Sequence, residues 1–118
     1  MKVNVLSEDS IKRVVFESGV EGRSDVDVDL ESSPKLRNKL VELTDDQEQA
    51  ILVDLANVKY MDSSGIATLV EALQKVGKYG GKLKIANLRQ AVRDVFELSR
   101  LDKVFEIYPT IEEAKDSF

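Results

Sequence analysis

An α/β fold built on a mostly parallel sheet is predicted by three features: short apolar runs alternate with helical patterns, residues 50–55 run almost without polar interruption, and 118 residues suit one core. Taken in order, residues 3–6 and 11–17 read as strands joined by a turn at 8–10, the second rich in β-branched and aromatic residues. Gly19 and Gly22 then interrupt the pattern, and residues 19–32 are polar, acidic and expected to be irregular, with Asp25–Glu31 within them a solvated edge strand or loop.

Ser33 before Pro34 reads as a helix start: a hydroxyl can cap free amides, and proline early in a helix gives up a donor that had no partner. Leu36, Leu40 and Leu43 then share one face. The run at 50–55 reads as a strand covered on both sides. From Ser64, the apolar residues Ile66, Leu69, Val70, Leu73 and Val76 follow helical spacing, and Gly80 and Gly81 end the helix. Residues 82–86 alternate as a strand, and a helix over 89–99 buries Val92, Val95, Phe96 and Leu98, with Asn87 as its expected cap. A strand at 103–108 leads to Thr110 and Glu113, whose capping-box spacing begins a last short helix. The expected order is β-β-α-β-α-β-α-β-α: a single domain over 1–118, with helices packed against a mixed, mostly parallel sheet.

Composition narrows the chemistry. The chain has no histidine and no cysteine, which excludes a Ser-His-Asp triad, thiolate nucleophiles and His- or Cys-ligated metal sites and leaves carboxylate, lysine, tyrosine or hydroxyl chemistry, or no catalysis at all. With 17 bases against 22 acids, the net charge of -5 opposes binding to the nucleic-acid backbone. The acidity is uneven: residues 1–58 hold 7 bases and 13 acids, whereas 59–118 hold 10 and 9. No apolar run approaches the ~20 residues of a membrane span, so a cytoplasmic protein with no direct membrane association is expected. Lys82, Lys84, Arg89, Arg93, Arg100 and Lys103 form the one basic concentration, expected on solvated faces.

Loops at the carboxyl ends of parallel strands carry function in such folds, and the loop after residues 50–55 ends in Asp62-Ser63-Ser64-Gly65 at the start of the clearest helix. A serine there is either a helix cap or an exposed acceptor. A nucleophile elbow fails, because Met61 stands where its first glycine belongs and there is no histidine. The glycines between 75 and 82 lack the spacing of a phosphate loop.

The segment Asp54-Leu-Ala-Asn-Val-Lys-Tyr-Met-Asp-Ser-Ser-Gly-Ile66 resembles the signature loop of the STAS domains, in particular the bacterial anti-sigma factor antagonists. The likeness extends over residues 34–118. It implies that Ser63 is a phosphorylation site and that Met61, Asp62, Ser63, Ser64 and Gly65 form the partner-binding surface. Ser64 is then expected to stay a cap, Gly65 to let a partner approach the backbone, and a phosphate on Ser63 to meet the helix amides. The resemblance also implies no enzyme activity and no cofactor. The implied partners are an anti-sigma factor with serine kinase activity and a protein phosphatase. A structural subunit of a membrane transport complex is the alternative, and a small-ligand or nucleotide binder a third. The chain departs from the family's Gly-Glu-Leu-Asp turn, where Asp27-Val28-Asp29 follows Val26 in place of glycine. That acidic segment is expected to border Ser63.

Overall fold

The computed structural model describes residues 1–118. Strands β1 (Lys2–Glu8) and β2 (Ile11–Glu17) form an antiparallel hairpin in which Glu8 pairs with Ile11. Asp9 and Ser10 take φ of 52° and 66°, the left-handed turn conformation whose twist matches that of two paired strands. Next come β3 (Val26–Val28), α1 (Ser33–Asp45), β4 (Ala50–Asp54) and β5 (Val58–Met61). The chain continues through α2 (Ser63–Lys78), β6 (Lys82–Ala86), α3 (Gln90–Leu98), a 3₁₀ turn (Leu101–Lys103), β7 (Glu106–Tyr108) and α4 (Ile111–Asp116).

The main sheet has the order β1-β2-β4-β6-β7, parallel except for the hairpin, as the alternation of strands and helices predicts. Strand pleating sorts its side chains. The row Val14, Val53, Ile85 and Ile107 faces α1 and α2, where it meets Leu36, Leu40, Leu69 and Val76. The alternate row Arg13, Leu52, Lys84 and Glu106 faces α4, whose Ile111 and Ala114 close a smaller core over Leu52, Ile11 and Ala86. Coverage on both faces explains why β4 is nearly devoid of polar residues.

β3 is the edge strand offered for the acidic segment, with its valines buried rather than solvated, and β5 is the strand that sequence reasoning did not anticipate. β3 pairs with β5 in a separate parallel two-stranded sheet that buries Val26, Val28, Val58 and Met61 against the core. β5 is four residues long and lacks regular alternation, because a register shift in its pairing with β3 leaves both of its ends buried and Lys59 and Tyr60 outward.

Several local expectations change in structural terms. The 103–108 strand shortens to 106–108 behind the 3₁₀ turn, and Leu98 is exposed on α3. Ser33 lies inside α1 and is buried, while the preceding turn is held by Asp29, whose carboxylate accepts from the Glu31 and Ser32 amides. Asn87 does not cap α3: its backbone is left-handed (φ 64°) and its amide group donates to Asp54. Gly80 does end α2, with φ of +81°, while Gly81 N–H donates to Val76 C=O at 3.0 Å. Thr110 caps α4 through its hydroxyl, which accepts from the Glu113 amide.

Lys84 is the clearest correction to the basic concentration. It is buried, its ammonium donating to Ser117 O (2.7 Å) and Oγ (2.9 Å), pairing with Glu106, and lying 4.7 Å from the Phe118 ring centre. A buried cation with this many partners is compensated rather than orphaned.

Candidate functional site

The site begins one layer below the surface, at the carboxyl end of β4. The Asp54 side chain is almost fully buried and accepts from Arg13 Nε (3.2 Å) and Nη2 (2.9 Å), from Asn87 Nδ2 (3.1 Å) and from the Ala56 amide (3.0 Å). One carboxylate thereby ties β2 to β4 and fixes the turns that leave β4 and β6. Asn57 Nδ2 donates to Phe16 O, and Arg89 Nε donates to Ala56 O. The chain enters β5 from a turn held on three sides.

β5 delivers Asp62 to the start of α2, where Asp62 N–H donates to Val28 O of β3. Asp62, rather than either serine, is the helix cap: its Oδ1 accepts from Ser64 N (2.9 Å), Ser64 Oγ (2.5 Å) and Gly65 N (3.4 Å). The Ser64 hydroxyl bond, with the Ser64 and Gly65 amides, holds the Asp62 carboxyl below the usual carboxylate range against partial desolvation. Ser64 accepts at its own carbonyl from Thr68 Oγ1. Its hydroxyl is committed to Asp62.

Ser63 differs from its neighbour. It occupies the first helical position, is exposed, and its hydroxyl makes no hydrogen bond within the protein. Because the Ser64 and Gly65 amides already serve Asp62, a phosphate on Ser63 would meet an occupied helix end beside a carboxylate, not a set of free donors.

Met61 and Gly65, expected on the contact surface, lie inside. Met61 is fully buried, and a Cβ added at Gly65 would come within 2.7 Å of Met61 Cγ and 2.8 Å of Val28 Cγ1. The glycine is there so that α2 can sit against β3 and β5. Of the five residues, Asp62, Ser63 and Ser64 reach the surface. The acidic segment does border them, because β3 pairs with β5 and Val28 O accepts from the Asp62 amide. Sequence reasoning missed Asp54 as the hub beneath the site; a carboxylate closing an apolar strand run was its only signal. No helix is long and apolar enough to cross a membrane.

Comparison with known proteins agrees with this arrangement. The STAS domain family model matches residues 23–114. The anti-sigma-B factor antagonist of Bacillus subtilis is 36% identical over 81 residues, covering 69% of this chain and 73% of that protein. The crystal structure of a putative anti-sigma factor antagonist from Thermotoga maritima superposes with a TM-score of 0.85 at 19% identity, covering 98% of this chain and 92% of that one. The Bacillus cell fate determinant SpoIIAA in its phosphorylated form superposes with a TM-score of 0.69 at 19% identity, covering 98% and 97%. The strand–turn–helix unit that presents Ser63, the five-stranded mixed sheet and the family match over residues 23–114 together place this chain in the STAS domain family.

Proposed function

We propose that this protein is an anti-sigma factor antagonist controlled by phosphorylation of Ser63. Unphosphorylated, it binds an anti-sigma factor that is itself a serine kinase and thereby frees a sigma factor in the cytoplasm. The kinase transfers the γ-phosphoryl group of ATP to Ser63 Oγ, the hydroxyl losing its proton and ADP leaving. A separate phosphatase returns the serine by hydrolysis. ATP and Mg²⁺ belong to the kinase, and the present chain acts as its substrate.

The observation that carries this reading is the contrast between the two serines: Ser63 is exposed and unbonded, whereas the Ser64 hydroxyl is fixed to Asp62 at 2.5 Å. A kinase must bring the acceptor oxygen in line with the γ-phosphate, and only an exposed, uncommitted hydroxyl can do so without breaking the helix cap. After transfer, the new phosphate carries about -1.5 to -2 charges beside Asp62 and faces the diphosphate it has just left. Like charges then press the complex apart with no change of fold. The names of the relatives support the antagonist role, and the existence of a phosphorylated SpoIIAA structure supports the switch.

The test is to incubate the protein with the serine-kinase anti-sigma factors of its source organism and ATP, and to locate phosphate by mass spectrometry. Phosphate on Ser63 is expected, with Ser63→Ala keeping the complex and Ser63→Asp losing it. Complexes indifferent to both substitutions would reject the switch.

A further inference from the structure

We propose that β1 is a self-association surface: two copies of this chain join their β1 strands antiparallel about a twofold axis through Val5, so that the two five-stranded sheets become one. The inference is independent of the Ser63 reading. The order β1-β2-β4-β6-β7 leaves the sheet two edges. β7 is three residues long, which is one way natural edges avoid pairing, whereas β1 runs for seven residues in unbroken register with β2. It carries no proline and no bulge.

The hairpin fixes which backbone groups face outward. Glu8 and Ile11 flank a two-residue turn and so bond each other, and the alternation of an antiparallel ladder then commits Lys2, Asn4, Leu6 and Glu8 to β2. Val3, Val5 and Ser7 point their N–H and C=O groups the other way. No backbone group elsewhere in the fold meets them. β1 therefore displays a free row of donors and acceptors of the kind that accepts another strand.

The sequence of β1 is complementary to itself in one register. With Val5 opposite Val5 of the second copy, Val3 stands opposite Ser7, and all three outward residues form hydrogen-bonded pairs. The same register sets Lys2 opposite Glu8 at both ends and Asn4 opposite Leu6, in the non-bonded pairs where side chains approach most closely. An edge lysine ordinarily discourages pairing; this one meets an acid. Glu8 already bonds Arg13 and Lys115, yet 29% of its side chain stays accessible to a third cation. Leu6, 43% exposed, becomes a diagonal neighbour of its own counterpart, and half-buried Val5 is covered across the axis. A shift by two residues in either direction separates Lys2 from Glu8 and leaves Val3 or Ser7 without a strand partner. The pairing keeps α1 and α2 of both copies on one face, and an isologous contact of this kind closes as a dimer instead of growing into a fibre.

The experiment is sedimentation velocity over a wide concentration range, in which the mass should rise from 13.2 kDa towards twice that value. Val5→Pro removes one outward N–H and none that the hairpin uses, and should abolish the dimer. Lys2→Glu places like charges at both ends of the interface and should weaken the dimer about tenfold, with the circular dichroism spectrum of wild type retained. The chain has no cysteine, so Val5→Cys carries a single thiol. Mild oxidation should link two copies of it across the roughly 5.5 Å Cα separation of a bonded pair, and should leave Leu98→Cys, altered at an exposed position of α3, unlinked. If Val5→Pro fails to fold, Lys2→Glu and Val5→Cys decide alone. A mass of 13.2 kDa at every concentration, a dimer indifferent to Lys2→Glu, or cross-linking of Val5→Cys no faster than that of Leu98→Cys overturns the proposal.

Discussion

Gly65 shows how a single residue can look functional for one reason and be required for another. In the Asp-Ser-Ser-Gly sequence it invites the interpretation that a partner needs close access to the backbone. Its Cα instead faces Met61 and Val28, which leave no room for a methyl group. Gly65→Ala should therefore destabilise the protein by about 1–3 kcal/mol, the usual cost of overpacking a filled core. Urea denaturation will check this, and a variant as stable as wild type would show that Met61 can swing aside. Ser63 and Ser64 make the complementary point: adjacent and chemically identical, they are separated in role by one hydrogen bond to Asp62.

At the scale of the element, α2 is the best-specified part of the chain, yet its start depends on a residue outside it. The apolar spacing from Ile66 to Val76 and the Gly80 terminus are readable locally, because both express helix geometry. The choice of cap is less so, since Asp62, Ser63 and Ser64 all have suitable side chains. β5 settles it by fixing Asp62 N–H on Val28 O, which leaves the Asp62 carboxylate over the first turn. Asp62→Ala should cost about 1 kcal/mol of stability, as loss of a cap does. It should also release the Ser64 hydroxyl. Hydrogen exchange should then rise first at the Ser64 and Gly65 amides; exchange unchanged there would mean that the cap is not what orders the first turn of α2.

Across the whole molecule, charge is arranged in small clusters linking distant segments. Glu8 bonds Lys115 and Arg13, Glu71 bonds Arg37, and Glu106 bonds Tyr108 and Lys84. The carboxyl groups of these three are held below their ordinary range: Glu8 by the bond from Lys115, Glu71 by that from Arg37, and Glu106 by that from Tyr108. A carboxylate whose folded value is depressed contributes stability above its unfolded value and loses it as pH falls through the folded one. The chain has no histidine to titrate in the neutral range. Stability should thus stay level from roughly pH 8 to pH 5 and decline below about pH 4, where carboxylates protonate. Urea midpoints measured across that range will test it. A marked slope between pH 6 and 7 would contradict this assignment. Because these groups are mostly exposed, each pair contributes little alone.

The sequence by itself determined the features set by local geometry and by burial pattern: the alternation that makes a mostly parallel sheet, the doubly covered β4, the apolar stripe of α2, and the loop bearing Ser63. Each leaves a mark within a few residues, since strand pleat and helix pitch repeat on that scale. Only tertiary structure decided what depends on partners far along the chain. Lys84 is buried because Glu106, Ser117 and Phe118 gather around it from 22 to 34 residues away. Asp54 becomes a hub because parallel pairing brings Arg13 and Asn87 to its end of the sheet. The β3–β5 sheet turns Met61 inward and Tyr60 outward, and so separates the residues that shape the Ser63 surface from those that form it.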